Sequence, residues 1–117
     1  MKTLVKHLNT FEEINLKLKN ETDLNKIRFH IDTLCKYLEQ NHLLDKNYVA
    51  NSKIFLKAEK DLSIINELDF ERLISFLTMI YRIDFVDGNA DAYIIYYKNG
   101  MIHAILNRLV KILHDTL

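Results

Sequence analysis

The sequence predicts an all-α protein, a compact bundle of about five to six helices forming one domain over residues 1–117, and three observations carry that expectation. Apolar residues recur at three- and four-residue spacing along most of the chain. Proline is absent, and glycine occurs only at Gly88 and Gly100, so no linker or domain boundary is marked. With 49% hydrophobic residues, the chain can bury roughly two thirds of the surface its unfolded form exposes.

Taken in order, Leu4, Leu8, Phe11, Ile14 and Leu18 share one helical face. Thr10 with Glu13 forms a capping-box pattern that would restart this helix midway. Leu24, Ile27, Ile31, Leu34 and Leu38 make the narrowest apolar arc, on a helix capped by Thr22 or Asp23 and ending near Asn41. Phe29 lies nearly opposite that arc and Tyr37 well off its centre. A helix near 46–60 and a shorter one near 62–67 follow. Asp69 then caps a strong helix carrying Leu73, Ile74, Leu77, Ile80 and Tyr81, which ends near Asp84.

Beyond Gly88, residues 90–98 read as a helix, and Ile102, Ile105, Leu106, Leu109, Ile112 and Leu113 mark a last one. An α+β alternative exists here, because Tyr93 to Tyr97 followed by Asn99-Gly100 also has the pattern of a β-hairpin strand and turn. The helical periodicity after Gly100 favours the all-α reading, with Gly100 as the positive-φ residue that closes one helix.

Leu77-Thr78, Arg82, Phe85-Val-Asp-Gly88 and Gly100-Met-Ile-His-Ala-Ile-Leu-Asn-Arg-Leu109 resemble the closing signature of a small, uncharacterised bacterial and phage domain family. The resemblance covers Leu68 to Leu113, with a fainter echo from Leu34 to Phe55. The family usually carries tryptophans in that earlier stretch, and this chain has none. What the resemblance implies is a small helical domain of bacterial or mobile-element source, with no assigned activity.

Sixteen Lys/Arg balance sixteen Asp/Glu, which argues against general nucleic-acid binding, since phosphate contacts need surplus positive charge. The balance is uneven along the chain: residues 1–60 hold eleven basic against eight acidic side chains, residues 61–117 five against eight. The single cysteine, Cys35, forms no intramolecular disulfide, and the first residues lack a signal-peptide core, so the expectation is a cytoplasmic protein with no membrane span.

Candidate chemistry is sparse. Asp84, Asp87 and Asp91 at three- and four-residue spacing could converge on a hard cation, but they lack the alternating ligands of a calcium loop, and we assign no metal or cofactor. Cys35 beside an apolar arc reads as a packing atom. His103, Asn107, Arg108 and Lys111 on the last helix could receive acidic groups or phosphates. Tyr93, Tyr96 and Tyr97 form the candidate partner-binding cluster, with Phe29 and Tyr37 as second anchors, because tyrosine offers large contact area with few rotatable bonds. The leading expectation is a non-enzymatic helical interaction protein, a monomer or homodimer that binds a protein or ribonucleoprotein. One version is a mobile-element inhibitor of a host defence nuclease such as a CRISPR effector. The alternatives are a nucleic-acid-binding module using Lys17, Lys19, Lys26, Arg28 and Lys36, and a small metal-dependent enzyme built around Asp84, Asp87, Asp91 and His103.

Overall fold

The apolar stripes fold as the spacing predicts, into an all-α bundle. The computed structural model describes residues 2–117 and gives six α-helices: α1 Leu8–Lys19, α2 Leu24–Gln40, α3 Ser52–Lys60, α4 Phe70–Val86, α5 Ala92–Lys98 and α6 Met101–Asp115. Short 3₁₀ turns at Lys2–His7, Tyr48–Asn51, Leu62–Glu67 and Gly88–Ala90 join them. There is no strand among the described residues, and the hairpin alternative is overturned. Tyr93 to Tyr97 are helical, and Gly100 adopts φ 90° between two helices. No helix among the described residues is long and apolar enough to cross a membrane.

Helix α4 is the axis of the fold. Every residue from Leu73 to Tyr81 is buried, as expected of a helix that is apolar on all sides. Helices α2, α5 and α6 pack around it, and α1 lies along α6. Ser75 and Thr78, the two polar residues inside that buried run, hold the 45–51 segment against α4. Asn51 Nδ2 donates to Ser75 Oγ at 3.0 Å, and the Asp45 backbone N–H donates to Thr78 Oγ1 at 3.0 Å. Buried hydroxyls are thus satisfied by the loop they anchor.

Helix starts follow the capping rules. Asp23 accepts from the Asn25 N–H at 2.9 Å, and Asp69 from the Arg72 N–H at 3.0 Å. Two expectations need correction. Thr10 does not restart a helix, because α1 runs unbroken from Leu8, its buried Leu8, Phe11, Ile14 and Leu18 forming one stripe. The helix expected over 90–98 begins only at Ala92, since Asp91 sits in the left-handed region with φ 51° and separates it from the preceding turn.

Candidate interaction surfaces

Helix α5 has seven residues, too few to persist without tertiary support. Its three tyrosines supply that support by reaching three different elements. Tyr93 is 4% exposed, and its hydroxyl donates to Asp32 Oδ1 of α2 at 3.1 Å. Tyr96 sets its ring edge-on to Phe55 and donates to Glu59 Oε1 of α3 at 3.0 Å. Tyr97 donates to the Leu18 carbonyl at 2.8 Å, with the Glu21 carbonyl 3.0 Å from the same hydroxyl, which satisfies the open C-terminal end of α1. The three hydroxyls therefore reach three separate elements, with Tyr93 buried and Tyr96 and Tyr97 half-buried.

The second anchors are also separated. Phe29 is 67% exposed on the outer face of α2, edge-on to His30. Tyr37 lies eight residues on, about 12 Å along the helix. It is half-buried, hydrogen-bonded to His7 and edge-on to Phe11. The stripe on α6 is likewise engaged within the molecule. His103 packs against the Tyr97 ring, and burial holds its imidazole below the usual pKa. Asn107 accepts from Asn15 Nδ2 at 2.8 Å, Arg108 Nε donates to the Leu68 carbonyl at 3.1 Å, and Lys111 pairs with Asp115 at 3.1 Å.

The three aspartates have separate duties. Asp91 takes a two-pronged contact from Arg28, Nε to Oδ1 at 3.1 Å and Nη2 to Oδ2 at 2.8 Å, and the guanidinium lowers its carboxyl pKa. Asp87 caps the 3₁₀ turn through the Asn89 N–H at 3.1 Å. Asp84 lies 3.5 Å from the Tyr93 N–H, and burial raises its pKa. No group of three His, Cys, Asp or Glu among the described residues is placed to hold a metal ion. Burial pushes the Cys35 thiol up to about 12, so it stays protonated at neutral pH and is a poor nucleophile. The basic cluster expected around α2 is mostly paired. Lys17 bonds Glu13 at 3.0 Å, Lys36 bonds Asp32 at 2.7 Å, and Arg28 is held by Asp91.

Two exposed surfaces remain that the sequence reading missed. On α3, Lys53, Lys57 and Lys60 recur at four- and three-residue spacing, which aligns them on one helical face. All three are exposed, and none joins an ion pair among the described residues. Leu56, 58% exposed, borders them. The lysine spacing is visible in the sequence, but the helix boundary that makes it a face is not. The other surface is the C-terminal end of α4, where the helix leaves the core still apolar. Phe85 is 76% and Val86 82% exposed. Beside them Tyr48, Met79, Arg82, Ile83, Val86 and Asp87 line a shallow concavity of about 300 Å³.

Comparisons with protein-family models, curated proteins and solved structures found no match for this chain.

Proposed function

We propose that this chain is a non-enzymatic helical interaction protein that binds and modulates another macromolecule, and that it does so through α3. The observation that carries the reading is the row of lysines without an ion-pair partner among the described residues, Lys53, Lys57 and Lys60, with the exposed Leu56 beside it. A cationic row next to an apolar anchor matches an acidic protein surface with a hydrophobic notch. Such charge complementarity speeds encounter and fixes register, while the leucine supplies desolvation. The chain's zero net charge and the single exposed leucine in the row favour a protein over a nucleic acid, whose phosphates would call for a broader basic field.

The narrower version, a mobile-element inhibitor of a host defence nuclease, rests on analogy with the mobile-element source that the resemblance of Leu68 to Leu113 implies. A cationic α3 suits an acidic patch of such a nuclease better than its own basic nucleic-acid channel. The test is a tagged pull-down comparing the native chain with a Lys53→Glu, Lys57→Glu, Lys60→Glu variant whose helical circular dichroism matches. The reading expects a stoichiometric protein partner that is lost with the charge reversal. Equal recovery by both chains, or recovery of nucleic acid alone, overturns it.

A further inference from the structure

His7 is the only buried histidine among the described residues, 3% exposed at the end of the Lys2–His7 turn. Its imidazole stands edge-on to the Tyr37 ring of α2 at a centroid separation of 5.5 Å and lies 6.3 Å from the Phe11 ring of α1. Its Nδ1 is hydrogen-bonded to the Tyr37 hydroxyl. The surroundings offer a proton on this ring no counter-ion. Lys6 on the same turn is itself cationic, the Tyr37 phenol is neutral, and Phe11 is apolar. On α6, which also packs against the turn, His114 and Asp115 are exposed, and Asp115 pairs with Lys111. Glu71 of α4 is exposed on the concavity that Leu4 lines. No carboxylate pairs with His7 among the described residues. Burial first, and Lys6 second, hold the imidazole below its usual pKa.

We propose that His7 is an acid-sensitive latch, which when neutral holds the Lys2–His7 turn on the bundle and when protonated lets the turn go. A neutral imidazole sits between two aromatic rings at little cost, whereas a cation there has neither water nor a counter-ion. The docked ring excludes the proton, and the released ring accepts it at the ordinary histidine value of about 6.5. Docking is therefore at full strength above about 6.5 and weakens as pH falls toward the lower, docked value. Release gains by at most about tenfold per pH unit in that window. The turn can yield alone, because a six-residue 3₁₀ segment has little stability apart from its packing. What it uncovers is apolar. Phe11 is fully buried against the imidazole, and Leu4 of the same turn walls a concavity of about 310 Å³ together with Phe70 and Ile74. An apolar surface is thus closed at neutral pH and open in acid.

Amide hydrogen exchange from about pH 7.5 to about pH 5, in the native chain and in His7→Gln, tests this across the histidine range. Glutamine keeps a neutral partner for the Tyr37 hydroxyl and binds no proton. The ratio of native to variant exchange rates at residues 5–8 cancels the intrinsic effect of pH, as well as the contribution of His103, which both chains share. That ratio should be flat above about 6.5 and rise by up to about tenfold per pH unit below it. The ratio formed with His7→Phe should follow the same course, since that ring also binds no proton. In the native chain the α6 amides should exchange more slowly than those of the turn at every pH, and the His7 ring signal in NMR should titrate below about 6.5. A ratio that stays flat with either variant overturns the inference, as does a His7 titration at or above the ordinary value. So does exchange of the turn in step with α6, because the whole bundle would then be opening.

Discussion

Helices α5 and α6 follow one another with only Asn99 and Gly100 between them, yet different forces hold them in place. The fifteen residues of α6 present Met101, Ile102, Ile105, Leu106, Leu109 and Leu113 as one fully covered apolar face. The stabilisation from burial scales with apolar area, so a helix of four turns is secured chiefly by its stripe. The seven residues of α5 bury Ala92, Tyr93 and Ile94, and the remaining hold comes from hydroxyl groups reaching Asp32, Glu59 and the end of α1. Those partners lie 61, 37 and 79 residues away in sequence. A long helix can be placed by its own periodicity, whereas a short one is placed by bonds to residues far along the chain.

Substitutions should separate the two cases. The largest effect is expected from Leu109→Ala in α6, where a side chain with no exposed area leaves a cavity. Urea unfolding should show a loss of about 2–5 kcal/mol. Next is Gly100→Ala at the junction. Its φ of 90° is left-handed, and the added Cβ would lie 3.0 Å from Leu62 Cδ1. A loss of about 1–2 kcal/mol is expected. Gly88→Ala, whose Cβ meets nothing within 4 Å, should be near neutral as the control.

Tyr93→Phe removes one hydrogen bond from α5 without removing packing, and about 1 kcal/mol should be lost. Its sharper signature is local. Amide hydrogen exchange should accelerate over residues 92–98 while the α6 amides keep their protection, because a short helix can open without unfolding the bundle. Equal acceleration in both helices would show that α5 and α6 are one cooperative unit, and the contrast between them would fail.

The same contrast explains what can be read from the sequence. The α2 arc from Ile27 to Leu38, the Asp23 and Asp69 caps and the Gly100 turn are legible because spacing and capping are local properties. Leu24, which belongs to that arc by spacing, is 38% exposed because it lies at the first turn, before α2 reaches its neighbours. The partners of the tyrosine hydroxyls are not legible for a related reason. Helical spacing places Tyr93, Tyr96 and Tyr97 on one face, but whether that face looks inward depends on where α2, α3 and α1 lie. Nor does any spacing rule connect Arg28 with Asp91, 63 residues apart. The exposed end of α4 is hidden by its own hydrophobicity, since Ile83, Phe85 and Val86 continue the pattern of a helix that is buried one turn earlier.

Arg28→Ala gives the smallest effect and the clearest sign. Arg28 reaches α5 from α2 through the Asp91 carboxylate, and both side chains are partly open to solvent, so the loss at neutral pH should be modest. Its pH dependence follows from the lowered pKa of Asp91. A carboxylate with a depressed folded-state pKa contributes stability above its unfolded value of about 3.9 and loses that contribution as pH falls through the folded value. The native chain should therefore melt above Arg28→Ala at pH 7, and the two melting temperatures should converge as the pH drops below about 3.9. Burial of Asp84 acts with the opposite sign, because its raised pKa favours the folded state at low pH and loses that preference as pH rises. That contribution is largely common to both proteins and nearly cancels from their difference. A gap that persists unchanged to the lowest pH would mean that Arg28 holds α5 by packing its stem, and the ion pair would then have no part in the docking.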